Sequence, residues 1–166
     1  MKTYLVTGAA GFIGSNFVRL ILEQKPGWQI VAYDILSYAG NLANLDDLID
    51  NSNFKFIKGD ICDFDTVDKS VAGVDYIINF AAESHVDRSI LGCADFIRTN
   101  VDGTRVLLDC ARKHNIKKFI QVSTDEVYGS LGKEGLFSET SHLHPNSPYS
   151  ASKAAADLLA LAYHHT

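Results

Sequence analysis

The sequence predicts a doubly wound α/β domain on a parallel sheet of strand order 3-2-1-4-5. Three observations carry that expectation. Short apolar runs alternate with segments of helical period along nearly the whole chain. A glycine-rich turn follows the first apolar run directly and opens a helix. The chain has 166 residues, 46% hydrophobic and 21% charged, which suits one buried core. Strand–helix–strand units in series need right-handed crossovers, and these cover a parallel sheet on both faces. In this order a ligand sits where the winding reverses, beside strand 1.

Taken in order, Tyr4-Leu5-Val6 reads as the first strand. Phe12 to Glu23 then sets Phe12, Ile13, Phe17, Leu20 and Ile21 at helical spacing. Gln29 to Tyr33 is the second strand and ends at Asp34. Leu42, Leu45, Leu48 and Ile49 predict a short amphipathic helix after a loop with Gly40 and Asn41. Phe54 to Ile57 is the third strand, closed by Gly59-Asp60; Asp63 to Val71 is a short helix and Asp75 to Phe80 the fourth strand. Ile90 to Lys113 reads as one long helix with Phe96, Ile97, Val101, Val106, Leu107 and Leu108 on its apolar faces. Lys118 to Val122 is the fifth strand, and the polar stretch Gly129 to Pro148 reads as loop. Tyr149 to His164 is a last helix rich in Ala and Leu. No repeat or linker divides the chain, so 1–166 is expected to form one domain. Such a sheet ordinarily continues to a sixth strand, which this chain lacks.

Charge and cysteine content exclude several classes. Lys and Arg number 15 against 20 Asp and Glu, a formal charge of −5, so nucleic acid and anionic membrane are not expected partners. No apolar run approaches the roughly 18 residues a membrane span needs, and Gly8 and Gly11 interrupt the only candidate signal region. Cys62, Cys93 and Cys110 are odd in number and never spaced CxxC, which fits a reducing cytoplasm. His142-x-His144 and His164-His165 lack the carboxylate or cysteine spacing that completes a metal site, so no metal is expected.

Three features carry chemistry. Gly8-Ala9-Ala10-Gly11-Phe12-Ile13-Gly14 joins a strand to a helix, where tight backbone and free N–H groups suit a pyrophosphate. Asp34 ends the second strand about 20 residues further on, where a carboxylate bonds ribose hydroxyls. No Arg lies between Arg19 and Arg88 to meet a 2′-phosphate, so NAD is favoured over NADP. Tyr149 and Lys153 share one helix face a turn apart, and a nearby ammonium favours a phenolate able to act as base. Ser123-Thr124-Asp125-Glu126 stands at the C-terminal end of the fifth strand, where open α/β sheets place their sites. Each has a plainer reading: a structural glycine turn, a solvated helix face, or a turn with capping acids. Asn100 reads as a structural amide and Lys117-Lys118 as surface charge.

These residues carry a resemblance. Gly8, Gly11, Gly14, Asp34, Gly59-Asp60-Ile61, Ala81-Ala82 and Tyr149-x-x-x-Lys153 together resemble the extended short-chain dehydrogenase/reductase family. Within it, Tyr38-Ala39-Gly40-Asn41-Leu42, Ala81 to Ser89 and Ser123 to Gly129 are similar to the dTDP-glucose 4,6-dehydratase branch. The most specific motif is Asp125-Glu126, an acid–base pair that nucleotide-sugar epimerases of the family lack.

The resemblance implies a Rossmann-type NAD site covering essentially the whole chain. Gly8, Gly11, Phe12, Ile13 and Gly14 would flank the pyrophosphate, and Asp34, Ile35, Leu36 and Ser37 would hold the adenosine ribose. Asp60 and Ile61 would meet adenine, while Phe80, Ala81, Ala82, Glu83, Ser84 and Thr99 would line the rest. Tyr149 would take the proton of the sugar C4 hydroxyl, and Lys153 would hold the nicotinamide ribose and depress the Tyr149 pKa. Thr124 would bond the C4 ketone, Glu126 would remove the C5 proton and Asp125 would protonate the departing C6 hydroxyl. That chemistry needs two carboxyl groups in different protonation states. Ser84 would touch the nucleotide-sugar substrate, whereas His85, Asp87 and Arg88 share the motif without a role. The resemblance also implies deoxysugar biosynthesis, a homodimer through the long helices, and a further C-terminal portion that binds the nucleotide. Another NAD-dependent nucleotide-sugar epimerase or dehydratase, and a non-catalytic NAD-binding fragment, stay open beside it.

Overall fold

The computed structural model describes residues 2–166. Five strands, β1 (Lys2–Thr7), β2 (Trp28–Asp34), β3 (Phe54–Lys58), β4 (Tyr76–Asn79) and β5 (Lys118–Gln121), form one parallel sheet in the order β3-β2-β1-β4-β5. The expected topology is therefore the observed one.

Period-two alternation divides the core between the two faces. Tyr4, Val6, Ile30, Ala32 and Ile78 point to one side, where α1 (Phe12–Gln24) lays down Val18 and Leu22. Leu5, Tyr33 and Ile77 point to the other, against Val67 and Val71 of the α2 region (α2, Phe64–Ser70) and Val106, Leu107 and Cys110 of α5 (Thr104–Lys113). α2 starts where Asp63 accepts from the Asp65 and Thr66 amides.

Two sequence expectations change. Leu42–Leu48 is a 3₁₀ helix rather than an amphipathic α-helix: Leu45 and Leu48, three apart, are its buried residues, and side chains three apart eclipse in 3₁₀ geometry. The long helix from Ile90 to Lys113 is not continuous. α3 (Val86–Leu91) ends at Gly92, whose backbone is extended, and a new helix begins as α4 (Ala94–Phe96). It widens into a π segment over Ile97–Gly103 before α5 continues it. The apolar period ran through both, but an extended residue cannot carry the i→i−4 ladder. α6 (Pro148–His165) opens with Pro148 in its first turn and a capping box between Ser147 and Ser150. Among the described residues no helix is long and apolar enough to cross a membrane.

Candidate active site

The winding reverses between β1 and β4, and hydrogen bonds fix the crevice there. Thr7 Oγ1 donates to Asn79 Oδ1, and the Asn79 amide donates to Gln121 Oε1 at 2.8 Å and Thr104 Oγ1 at 3.3 Å. Thr7 and Asn79 are wholly buried, so this network ties the ends of three strands to the helix layer.

The glycine loop lies above it. Gly8 has φ +65, and a Cβ there would sit 2.7 Å from the Ala81 nitrogen. At Gly14 a Cβ would lie 2.1 Å from the Gly8 carbonyl oxygen. The loop is thus folded on itself and pressed against the β4 end. Gly11 caps α1 without a side-chain hydrogen bond, which leaves the first-turn amides of this helix to a ligand.

A cavity of about 510 Å³ runs from this loop in both directions. At one end it meets Asp34, Gly59, Asp60, Ile61 and Arg98; at the other, Val122, Ser123, Tyr149 and Lys153. Ile13, Ile35, Ser37, Phe80 to Ser84 and Thr99 lie between or beside these ends. The cavity thus gathers Gly8, Gly11, Phe12, Gly14 and most other residues singled out for a cofactor. Leu36 is different. It has φ +59, its N–H donates to Asp34 Oδ1 at 2.8 Å, and its side chain packs into the core. The other oxygen, Oδ2, accepts from the Ala10 amide at 2.9 Å, so one buried carboxylate pins both the glycine loop and the β2 turn.

Asp60 is held just as firmly. Burial opposes its charge, but the Cys62 N–H at 2.9 Å and the Arg98 guanidinium at 2.5 Å outweigh that, keeping the carboxyl below its usual range. Arg98 was hidden from sequence proximity because it enters from the π segment, far from Asp34 along the chain. Its Nη2 is the nitrogen paired with Asp60.

Thr124, Asp125 and Glu126 stand just past the cavity lining on a single 3₁₀ turn, Asp125–Tyr128, capped by the Thr124 hydroxyl. Asp125 is exposed and Glu126 half-buried. The turn faces Tyr149: burial raises the phenol's pKa, contact with the Thr124 hydroxyl lowers it, and Glu126, Asp125 and Tyr38 add upward pressure. In the cleft as it stands burial dominates, and the phenol lies above its ordinary range. Lys153 Nζ donates to the Val122 carbonyl at 2.6 Å. Burial lowers the Lys153 pKa as well, against the opposing pull of Asp157.

Other placements are legible only in three dimensions. Asn100, buried in the π segment, accepts from the Glu83 amide at 2.8 Å and donates to the Glu83 carbonyl at 3.0 Å and Ser152 Oγ at 2.8 Å. That ties the cavity wall to the helix of Tyr149, the structural role read from the sequence. Two of the motif residues without a role, His85 and Arg88, stack on Tyr38: the Arg88 guanidinium lies 4.2 Å from the Tyr38 ring, and the His85 ring 5.3 Å from it on centroids. Arg88 also reaches within 4.0 Å of Glu83 Oε2, which otherwise has no hydrogen-bond partner among the described residues. Asp157 was not singled out from the sequence, although Lys153-x-x-x-Asp157 is a same-face spacing.

A dTDP-glucose 4,6-dehydratase from Streptomyces niveus is 54% identical over 166 residues, covering 98% of this chain and 49% of that protein. The crystal structure of a dTDP-glucose 4,6-dehydratase from Streptomyces venezuelae with NAD and TYD bound superposes with a TM-score of 0.95 at 50% identity, covering 99% of this chain and 52% of that one. A UDP-glucose 4-epimerase from Thermotoga maritima shares the fold at a TM-score of 0.87 but only 32% identity, covering 98% and 51% of the two chains. The chain spans about half the length of the relatives it matches. The family model described as GDP-mannose 4,6 dehydratase matches residues 5–166, from the first strand through the helix of Tyr149 and Lys153, and the chain belongs to that family.

Proposed function

We propose that this chain is the cofactor-binding and catalytic half of an NAD-dependent dTDP-glucose 4,6-dehydratase, a lyase of deoxysugar synthesis in the cytoplasm. The observation that carries the reading is the convergence of Thr124, Asp125 and Glu126 with Tyr149 at the end of β5, beside the cleft. The likeness in sequence to dehydratases, well above that to the epimerase, supports the same choice.

The cleft fits a dinucleotide on its own features: uncapped amides at the α1 start for a pyrophosphate, and the buried Asp34 for ribose hydroxyls. NAD, when bound, would supply the hydride chemistry at the sugar C4 and C6 carbons. Gly8, Gly11, Phe12, Ile13 and Gly14 would meet its pyrophosphate, Asp34 and Ser37 its adenosine ribose, and Asp60 and Ile61 its adenine. Lys153 would bond the nicotinamide ribose while keeping the Val122 carbonyl.

Tyr149 removes the proton of the C4 hydroxyl, and the Thr124 hydroxyl donates to the resulting ketone oxygen. The ketone acidifies the neighbouring C5–H, which lets the Glu126 carboxylate take that proton and give it back to C5 once C6 has been reduced. Asp125 delivers a proton to the C6 hydroxyl as it leaves as water. Ser84, on the cavity wall, contacts the sugar nucleotide.

The test is turnover. The chain, alone and extended to the length of its relatives, is incubated with dTDP-glucose and NAD, and mass spectrometry follows a product lighter by one water. Such a product is expected from the extended form. Its absence there, with NAD bound and the fold intact, refutes the reading; an epimerised sugar of unchanged mass favours the epimerase alternative.

We also infer a homodimer. Ile90 and Leu91 of α3, Ile97 of the π segment, and Leu158 and Leu161 of α6 are exposed on elements that pack together. An apolar surface of that kind is covered in stable proteins. Light scattering is expected to give twice the chain mass, and Leu158→Glu with Leu161→Glu a monomer. A monomeric wild-type chain overturns the inference.

A further inference from the structure

The charge of Lys153 is a problem that the cofactor cleft does not solve by itself. Its side chain is buried, 4% exposed, and its hydrogen bond goes to a neutral carbonyl. A buried ammonium without a counter-charge loses its proton readily.

The same helix supplies a carboxylate one turn on. Asp157 is partly buried and lies at i+4 from Lys153, the spacing at which opposite charges on a helix attract. Ser123 Oγ donates to Asp157 Oδ2. Two consecutive residues of the strand end are therefore clamped by this helix: Val122 through its carbonyl to Lys153, and Ser123 through its hydroxyl to Asp157. The next residues are Thr124, Asp125 and Glu126, and the next helix turn back from Lys153 bears Tyr149.

We propose that Asp157 is a positioning residue of this site: it fixes the strand end that presents Thr124 to Tyr149, and its negative charge balances Lys153. The proposal rests on the reading of Tyr149 and Lys153 as working residues. The titrations agree in direction. Burial drives the Asp157 pKa up, with Ser123 and Lys153 opposing, while Asp157 is the ionisable neighbour that supports Lys153. Val122 and Ser123 on the facing strand end carry no charge.

Two variants separate the two jobs. Asp157→Asn keeps an oxygen for the Ser123 hydroxyl but removes the charge, whereas Asp157→Ala removes both. Lysine-labelled protein read by NMR gives the Lys153 titration midpoint, with Lys153→Arg identifying the signal. Amide exchange at Val122, Glu126 and Val127, whose N–H groups donate to the Asn79 carbonyl, Thr124 Oγ1 and the Thr124 carbonyl, reports the anchoring of the strand end. The midpoint is expected to fall in both variants. Exchange protection at Val122, Glu126 and Val127 is expected to drop about tenfold in Asp157→Ala and by less in Asp157→Asn, where the Ser123 hydroxyl keeps a neutral acceptor, since a hydrogen bond to a charged group is worth about one decade. Should the Ala variant unfold, Ser123→Ala removes the same bond from the strand side and is expected to show the same tenfold drop. An unmoved Lys153 midpoint in Asp157→Asn overturns the charge role, and unchanged protection without the Ser123 bond overturns the anchor. Both readouts are taken on the chain without substrate, so they stand or fall separately from the dehydratase reading, which the turnover assay judges.

Discussion

Tyr149→Phe is expected to lower turnover about a thousandfold while leaving the fold and NAD binding nearly unchanged. The ring stays: it packs edge-on against Phe96, with centroids 6.3 Å apart, and needs no hydroxyl for that contact. What is lost is the phenol hydroxyl placed beside Thr124 to take the proton of the C4 hydroxyl. Burial raises the phenol's pKa, so the base form grows as pH rises and is lost as pH falls through that pKa. The rate should therefore climb toward alkaline pH in the wild type, and that limb should vanish in the Phe variant. Glu126→Gln should block a later step: near-ultraviolet absorbance of reduced nicotinamide accumulates, and no product lighter by water follows. Asp125→Asn should slow loss of the C6 hydroxyl in the same way. Wild-type turnover in Tyr149→Phe, or dehydrated product from Glu126→Gln at the wild-type rate, would refute this division of labour.

Much of this molecule is legible from local pattern. The sheet order follows from five apolar runs, each feeding a helix, and a parallel sheet leaves little freedom once crossovers are right-handed. The glycine turn and Asp34 are also local signals, each tied to one backbone position. The misreadings share a cause, because period alone does not report backbone state. The run from Ile90 to Lys113 keeps its apolar spacing across Gly92, where the chain is extended. Nothing in the residue types announces the π segment in which the buried Asn100 lies. Site electrostatics were harder still. Tyr149 and Lys153 are a turn apart in sequence, which suggests that each tunes the other; instead the ammonium is held by a strand-end carbonyl. Arg98 and Asp157 act on partners distant in the chain, Asp60 and Ser123, which sequence spacing cannot pair.

Gly14→Ala should damage the cofactor site more than any other single methyl group added to the glycine turn. The added carbon would stand 2.1 Å from the Gly8 carbonyl oxygen and 2.9 Å from the Ala9 Cα. Neither neighbour is a flexible side chain that can swing aside. Gly14 is on α1, whose Val18 and Leu22 are locked in the core, so the helix cannot retreat without opening that packing. The glycine loop must yield instead, and it is pinned by the Asp34 carboxylate through the Ala10 amide. Either way a backbone shift is forced, at a cost of about 3 kcal/mol or more, which unfolding in urea would register as a lower midpoint at unchanged slope. The displaced loop also misaims the first-turn amides, so NAD affinity should fall about a hundredfold, the effect of losing roughly 2.7 kcal/mol of interaction. Gly8→Ala provides the comparison: its Cβ meets the Ala81 nitrogen at 2.7 Å, and φ +65 adds about 1–2 kcal/mol of strain for a residue with a side chain. Gly27→Ala, where a Cβ meets nothing within 4 Å, controls for the substitution itself and should leave both stability and NAD affinity near wild type. If Gly14→Ala binds NAD as the parent does, the loop is not the pyrophosphate cradle, and the placement of the dinucleotide along this cleft fails with it.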